Sequence, residues 1–258
     1  MSIQAFEFDG PRGYRLAGKL DLPDAGATPL GWAIFAHCFT CGKDSLAAAR
    51  VARALASRGI GVLRFDFAGL GSSGGSFADA TFAADVGDLV AAGGAMARDG
   101  RVPSILIGHS LGGAAALMAA SEMQGICAVA TIGAPFDVTH VLHQFDQGSL
   151  QTIEAQGQAE VLLAGRPFVV RKSFVEDLAR HDLASRVAQL RMPLLVLHSP
   201  VDSTVGIDNA ARIFSVAKHP KSFISLDGAD HLLTNRADAD YAAAMIATWA
   251  SRYLPKEG

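Results

Sequence analysis

The feature that most constrains the fold of this chain is a regular alternation of short apolar runs with longer helical patterns. The short runs are Trp32–Ala36, Gly61–Phe65, Ser104–Ile107, Ala128–Ile132, Leu194–Leu197 and Ser222–Leu226. The helical patterns are Asp44–Arg58, Thr81–Arg98, Leu111–Met123, Ile207–Ala217 and Ala237–Arg252. Strands that alternate with helices form mostly parallel sheets covered on both faces. The sequence therefore predicts an α/β fold with a mostly parallel central sheet.

Two parts of the chain depart from this alternation. Ile3–Phe8 and Tyr14–Asp21 alternate apolar and polar residues around a Gly-Pro-Arg-Gly turn, which predicts an opening hairpin. Asp137–Gln189 lies between two strands and is too long for one crossover helix. We expect it to form a small cap at the carboxyl edge of the sheet, where ligands bind in such folds. The alternative is an insertion of surface helices. Residues 1–258 are predicted to form a single domain.

Composition excludes several classes of partner. The chain has 258 residues, half of them hydrophobic, which is enough for one large α/β domain or two small ones. A formal net charge of -3 gives no basic footprint, so no nucleic-acid partner is expected. No apolar run could span a bilayer and no secretory leader is evident, so no membrane partner is expected. The three cysteines are not expected to form a disulfide framework, which favours a cytoplasmic setting.

One apolar run leads directly into Gly108-His109-Ser110-Leu111-Gly112, and small, helix-compatible residues follow. A Gly-x-Ser-x-Gly motif between a strand and a helix is typical of a nucleophile elbow. The turn is tight, so a Cβ at either glycine would clash. The helix N-terminus supplies unpaired N–H groups and a partial positive charge beside the serine. A second match at residues 71–75 follows no strand directly and is interpreted as a loop.

A serine nucleophile needs a base, and the base needs a carboxylate that orients it. His231 follows the last apolar run, and Asp202 follows the run before it. This gives the chain order serine, acid, histidine that is expected for such a sheet. Asp227 and Asp230 compete for the acid role but are too close in sequence to His231 to reach the far side of its ring. The predicted catalytic set is Ser110, Asp202 and His231.

The loop after Trp32–Ala36, the third predicted strand, carries a second candidate feature. We expect the backbone N–H of Phe39 to join that of Leu111 in binding an oxyanion. The same loop holds Cys38 and Cys41 at the Cys-x-x-Cys spacing of dithiol oxidoreductases. That motif normally opens a helix in a smaller βαβ frame, so these cysteines are interpreted as structural, with thiol redox chemistry as the alternative. No metal or cofactor is expected, because no ligand pattern for one is present.

With these residues assembled, the chain resembles the α/β-hydrolase superfamily over nearly its whole length. A closer resemblance is to the hydrolase half of bifunctional proteins in which an α/β-hydrolase precedes an OsmC-like domain. The segments that carry it are His37–Cys41, Leu63–Gly71, Gly108–Ala115, His219–Phe223 and Ala229–Leu233. The chain stops after Pro255, about where that half would end, which suggests an excised domain or a stand-alone relative. An OsmC-like domain or partner is the implied associate.

A looser resemblance is to cinnamoyl and feruloyl esterases, which carry His-Gly-Phe-Thr-Gly where this chain has Cys38 and Cys41 in place of both glycines. The resemblance implies the α/β-hydrolase fold and an esterase-type activity. We therefore predict a serine hydrolase that cleaves carboxylic esters with small to medium acyl groups through an acyl-enzyme. Thioesterase or amidase activity, or a non-catalytic or thiol-redox module that serves an OsmC-like partner, are the alternatives. The oligomeric state stays open.

The substrate pocket is predicted to lie in Asp137–Gln189. The apolar residues of that segment are too numerous for a purely solvated loop, so some should pack on the core and others should line an acyl or alcohol pocket. The candidates are Val141, Leu142, Phe145, Phe168 and Phe174.

Overall fold

The computed structural model of the chain describes residues 1–26 and 28–254. Residue 27 and residues 255–258, which include Pro255, lie outside the described residues. The predicted domain span of 1–258 includes them. The strands are β1 (Ser2–Asp9), β2 (Arg15–Leu22), β3 (Gly31–Ala36), β4 (Ile60–Phe65), β5 (Ile105–His109), β6 (Ala128–Ile132), β7 (Gln158–Leu163), β8 (Arg166–Arg171), β9 (Leu194–His198) and β10 (Lys221–Ser225). The helices are α1 (Leu46–Ala56), α2 (Phe82–Arg98), α3 (Leu111–Ala119), α4 (Gln147–Gln156), α5 (Lys172–Leu178), α6 (Leu183–Gln189), α7 (Asp208–Val216) and α8 (Arg236–Ala250). Short 3-10 turns cover Phe77–Asp79, Ala120–Glu122 and Val138–Gln144.

Eight strands form the central sheet in the order β1-β2-β4-β3-β5-β6-β9-β10. The strands β4, β3, β5, β6, β9 and β10 pair in parallel, while β2 is antiparallel to both β1 and β4. The predicted opening hairpin and the mostly parallel sheet are both confirmed. Parallel strands end at one edge of a sheet, so the loops after β3, β5, β9 and β10 are brought together there.

Each central strand is buried on both faces, as expected for a parallel sheet covered by helices. Along β3, Ile34 belongs to the hydrophobic core on one face, while Ala33 and Phe35 belong to the core on the other. The helices α1 and α8 cover the second face, and α2, α3 and α7 cover the first. A fully buried side chain such as Leu106 contributes about 1.5–3 kcal/mol relative to an exposed one. The sheet is therefore a rigid base for the loops at its carboxyl edge.

The segment 137–189 joins the neighbouring strands β6 and β9. It contains a 3-10 turn, three helices and the antiparallel pair β7–β8, a second small sheet that the sequence did not predict. The side chains of Val161, Leu178 and Val187 belong to the same hydrophobic core as α2 and α3. The segment is thus packed on the body of the protein rather than solvated on all sides.

Among residues 1–26 and 28–254, no helix is both long enough and apolar enough to cross a membrane.

Candidate active site

Ser110 lies at a sharp turn between β5 and α3. Its backbone has φ 55 and ψ -127, a combination that non-glycine residues rarely adopt and that is associated with functional sites. A Cβ added at Gly108 would lie 2.2 Å from the carbonyl oxygen of Gly112, and one added at Gly112 would lie 2.3 Å from that of His37. Both positions therefore require glycine. The turn is held open by the Ser110 N–H, which donates to the carbonyl of Ile132 at 2.9 Å.

The structure brings the three predicted side chains together, each from its own loop. The Nε2 of His231 lies 3.0 Å from the Oγ of Ser110, and its Nδ1 lies 2.7 Å from the Oδ2 of Asp202. A carboxylate only accepts hydrogen bonds, so Nδ1 carries the ring proton and Nε2 presents its lone pair to the serine hydroxyl. The geometry allows a proton to pass from Ser110 to His231.

The carboxylate of Asp202 is nearly buried and is well supplied with donors. Its Oδ1 accepts the N–H groups of Thr204 and Val205, each at 2.9 Å, while Oδ2 faces His231. Burial alone raises the pKa of Asp202, but the hydrogen bonds from His231, Val205 and Thr204 outweigh it, and the pKa is lowered. Asp202 is therefore ionised at neutral pH.

The competing carboxylates, Asp227 and Asp230, make no hydrogen bond to the base in the described part of the chain. Asp230 accepts the N–H of Thr234 at 2.9 Å and the hydroxyl of the same residue. For Asp227, the main-chain carbonyl accepts a hydrogen bond from the Oγ of Ser199. Neither side chain is hydrogen-bonded to His231 within the described part of the chain.

Gly133, just past the end of β6, was missed by the sequence analysis. It has φ +56, and a Cβ there would lie 3.2 Å from the Oδ2 of Asp202 and 3.4 Å from the Nδ1 of His231. The signal was present, because a glycine directly after a parallel strand lies at the ligand-binding edge of the sheet. The contact between this glycine and the other loops could not be read from sequence spacing.

The loop after β3 carries Phe39, the predicted second donor. The N–H groups of Phe39 and Leu111 have no hydrogen-bond acceptor among the described residues, and both residues line the same recess. Helix N-termini leave such groups unpaired and attract negative charge. Leu111 directly follows Ser110, which is not itself among the residues that line the recess. Free N–H donors of this kind are the groups that stabilise an oxyanion.

The loop is closed by a covalent bond that the sequence analysis did not anticipate. Cys38 and Cys41 form a disulfide, so the expectation that the cysteines would not pair is wrong for these two. A turn in which the Cys41 N–H donates to the Cys38 carbonyl at 3.0 Å holds their Cα atoms 5.3 Å apart, within the range that disulfides need. Cys127 is free.

Further contacts hold the same loop on both sides. The buried Nζ of Lys43 lies 2.5 Å from the Oδ2 of Asp66, and Asp66 also accepts the Lys43 N–H at 2.6 Å. From the segment 137–189, Arg166 donates to the carbonyl of Thr40, which has a left-handed φ of 57. The loop that carries Phe39 is therefore tied to the sheet and to the segment.

The five predicted pocket residues differ in how deeply they are buried. Val141, Phe145 and Phe174 are buried, while Leu142 and Phe168 are half-buried and packed against the same core. Phe174 lines the recess beside the two free N–H groups, and its ring is stacked on that of Phe39 with centroids 5.5 Å apart. The other four do not line this recess.

The recess encloses about 390 Å³ of space between atoms, part of it open to solvent. The space within it that a water-sized sphere can occupy admits about one water molecule. Its walls are mostly aromatic and aliphatic, with His37, Thr40 and Asp85 as the polar side chains. Burial, followed by the negative charge of Asp88, raises the pKa of Asp85 well above its usual range.

The second Gly-x-Ser-x-Gly match is a loop, as predicted. The Oγ of its central Ser73 accepts the N–H of Ala17 at 2.9 Å and donates to the carbonyl of Asp66 at 2.5 Å. These bonds fix the loop to β2 and occupy the hydroxyl. For the described residues, no group of three or more His, Cys, Asp or Glu side chains is arranged to hold a metal ion.

Comparison with known proteins agrees with this architecture. The sequence profile of the alpha/beta hydrolase family matches residues 33–244. This chain belongs to that family. No curated protein sequence matches the hydrolase.

Solved structures resemble the hydrolase over almost its full length. The esterase domain of a Rhodothermus marinus protein is 46% identical, covers 99% of this chain and 100% of its own, and has a TM-score of 0.80. Est1E from Butyrivibrio proteoclasticus, solved with ferulic acid bound, is 20% identical, with coverages of 98% and 100% and a TM-score of 0.83. XC6422 from Xanthomonas campestris, an α/β serine hydrolase without a lid, is 22% identical, with coverages of 100% and 98% and a TM-score of 0.68. The last two share the fold alone at such identities.

Proposed function

We propose that this hydrolase is a serine esterase that cleaves carboxylic esters through an acyl-enzyme. The observation that carries the proposal is the chain of hydrogen bonds from Ser110 through His231 to Asp202, at 3.0 and 2.7 Å. It stands at the carboxyl edge of a parallel sheet, next to two unpaired N–H groups. The 46% identity to an esterase domain supports the same chemistry.

In the first half of the reaction, His231 accepts the hydroxyl proton of Ser110 while Oγ attacks the ester carbonyl carbon. Asp202 stabilises the imidazolium that results. When the tetrahedral intermediate collapses, the bond to the alkoxy oxygen breaks and His231 returns its proton to the leaving alcohol. Ser110 is left acylated.

In the second half, water replaces the alcohol. His231 removes a proton from the water as the oxygen attacks the acyl carbonyl carbon, and the same proton is then returned to Oγ as the acid departs. The N–H groups of Phe39 and Leu111 stabilise the oxyanion in both halves. Removing one such donor costs about 2.7–4 kcal/mol of transition-state stabilisation in comparable sites.

The proposed substrates carry short acyl groups. The enclosed space beside Phe39 and Leu111 admits about one water molecule, so a long chain would need Phe174 or its neighbours to move. The segment 137–189 is proposed to act as the cap that sets this limit, since Phe174 and Arg166 both reach the loop of Phe39. Thioesters and activated amides share the acyl chemistry and are the closest alternative substrates.

Three further assignments are proposals on the sequence alone. These are a cytoplasmic location, the kinship to hydrolases that precede an OsmC-like domain, and an OsmC-like partner. Cell fractionation with an antibody tests the first. Co-purification of a peroxidase-active OsmC-like protein with the tagged hydrolase from its own host tests the last two.

The decisive experiment for the esterase proposal is covalent labelling. We expect a fluorophosphonate probe to modify the wild type at Ser110, as located by peptide mass spectrometry, and to leave Ser110→Ala unmodified. Ester turnover, measured on p-nitrophenyl acetate, should be lost in the same variant. A folded Ser110→Ala protein that still hydrolyses the ester would refute the assignment. Turnover of a peroxide with a dithiol, abolished by Cys38→Ala, would instead favour the thiol-redox alternative.

A further inference from the structure

A buried histidine outside the proposed catalytic set is bonded to the main chain of His231. His109 is the last residue of β5, and only 1% of it is exposed. Its Nε2 lies 2.7 Å from the carbonyl oxygen of His231. The two rings lie side by side, with centroids 5.1 Å apart and planes inclined at 38°. The residue next to the nucleophile thus contacts the loop that carries the base.

The direction of this hydrogen bond is fixed. A carbonyl oxygen only accepts, so Nε2 of His109 carries the proton and donates. Burial, followed by the charge of His231, lowers the pKa of His109 to about 3. The ring therefore stays neutral, with Nε2–H as a permanent donor. Its Nδ1 has no partner within the described residues.

This contact is the single hydrogen bond that the described residues make to the main chain of His231. The rest of the loop is held by its own turns and by two side chains from elsewhere in the fold. Arg50 donates to the carbonyls of Leu233 and Thr234, and the Oγ of Ser199 donates to the carbonyl of Asp227. The N–H of Ala229 donates to Leu226 at 2.8 Å, and that of Leu233 donates to Asp230 at 3.1 Å. Asp202 holds the His231 ring at Nδ1, and His109 holds the main chain from which that ring projects.

We propose that His109 is a positioning residue of this hydrolase, which sets the place of the His231 ring against Ser110 by holding the His231 carbonyl. The inference rests on the proposed function. The Nε2–Oγ distance of 3.0 Å depends on the place of the His231 main chain, which His109 holds, as well as on the bond from the ring to Asp202. A misplacement of about 1 Å in such a contact can lower the rate on the order of 100-fold.

A purely structural role makes a different prediction. If His109 only fills space, then any uncharged polar residue of similar size should preserve turnover. The matched pair His109→Gln and His109→Asn separates the two roles. In glutamine the amide nitrogen is as many bonds from Cα as Nε2 of histidine is, whereas in asparagine it is one bond shorter. Both variants bury one amide, so their effects on folding are comparable.

The experiment measures kcat and KM on p-nitrophenyl acetate and the rate at which a fluorophosphonate modifies Ser110. We expect His109→Gln to stay within about threefold of the wild-type kcat, which is a small change in activation free energy. We expect His109→Asn to lose on the order of 100-fold in kcat and in labelling rate, with KM nearly unchanged. Thermal unfolding should show similar melting temperatures for the two variants. Equal rates in both variants would overturn the proposal.

The outcomes also separate this proposal from the one it rests on. If the wild type is not labelled at Ser110, the esterase assignment fails and the positioning role fails with it. If the wild type is labelled and both variants react at its rate, only the positioning role fails. Should His109→Asn not fold, ¹⁵N NMR of the wild-type imidazoles decides. A neutral His109 protonated at Nε2 is the expected state, and protonation at Nδ1 would refute the contact.

Discussion

At the scale of single residues, the proposed chemistry depends on one carboxylate. Asp202 is the acid hydrogen-bonded to Nδ1 of His231, while Asp230 is bonded to Thr234. We expect Asp202→Asn to lower kcat on the order of 10⁴-fold, because an amide favours the wrong tautomer of the base. Asp230→Asn is the control and should keep most of the wild-type rate. Both variants are measured as kcat on p-nitrophenyl acetate. A larger loss in Asp230→Asn than in Asp202→Asn would contradict the assignment of the acid role to Asp202.

Gly133 offers a second test at this scale. Gly133→Ala places a Cβ 3.2 Å from Asp202 and imposes a left-handed φ of +56 on an L residue. The control is Gly157→Ala, which also has a left-handed φ, of +83, but has no atom within 4 Å of the added Cβ. Both variants should lose about 1–2 kcal/mol of unfolding free energy in denaturant titrations. Only Gly133→Ala should also lose kcat, and equal kcat in the two variants would contradict this.

The positions of Ser110, Asp202 and His231 could be predicted because each follows its own strand, and parallel strands end at one edge. The roles of Gly133 and His109 could not. His109 bonds to a carbonyl 122 positions away, and any residue type can offer a carbonyl. Such contacts leave no mark in the sequence spacing.

At the scale of elements, the loop closed by the Cys38–Cys41 disulfide allows stability and activity to be tested separately. Cross-linking a loop as short as Cys38–Cys41 stabilises a fold by about 2 kcal/mol in the chain-entropy account. We expect the double variant Cys38→Ala, Cys41→Ala to lose about that much unfolding free energy. It should keep most of its esterase activity, because Lys43, Asp66 and the Phe39 stack still hold the loop. Loss of turnover as complete as in Ser110→Ala, in a folded protein, would place the disulfide within the catalytic machinery.

The segment 137–189 should control, through Phe174, the length of the acyl chain that the protein accepts. We expect Phe174→Ala to raise the octanoate-to-acetate ratio of kcat/KM, because it removes the ring that closes the recess. Phe8→Ala is the control, since both side chains are 3% exposed and Phe8 does not line the recess. Each variant should lose about 3–5 kcal/mol of stability. A ratio unchanged from wild type in Phe174→Ala would mean that the acyl group binds elsewhere.

The strands β7 and β8 could not be predicted from the sequence. The strands are joined by Ala164 and Gly165, with φ values of 49 and 77. Two positive φ angles are typical of the tight hairpin turn that usually carries Asn-Gly or Asp-Gly. Alanine rarely adopts this conformation, so the usual signal was missing. The parallel strands of the central sheet, in contrast, could be predicted, because each has a continuous apolar run that is typical of a strand buried on both faces.

At the scale of the whole molecule, three buried histidines determine the response to acid. Burial lowers the pKa values of His37, His109 and His198. The unfolded chain binds protons at these sites below about pH 6.5 and the folded chain does not, so stability falls as the pH decreases. For His109, whose pKa is lowered to about 3, this contributes a slope of up to about 1.4 kcal/mol per pH unit between that value and the pKa of the unfolded chain.

The direction in which stability changes with pH can be tested with one substitution. Between pH 7.5 and 5.0 the wild type should lose about 2 kcal/mol more unfolding free energy than His109→Gln, which has no proton to gain. Urea titrations at the two pH values measure the difference. Equal losses would mean that His109 is protonated in the folded protein. Raised pKa values at Asp85 and Asp88 act in the opposite direction but are common to both proteins.

The connection between β6 and β9 has an evolutionary consequence. These strands pair directly, and yet the chain between them runs through the whole segment 137–189. Doubling the length of a flexible connection costs only about 0.6 kcal/mol of closure entropy. Neighbouring strands can thus keep their register while the connection is lengthened, trimmed or replaced. Selection can reshape what the protein accepts as a substrate in this one stretch of gene, while the proposed catalytic residues Ser110, Asp202 and His231 stay on loops outside it.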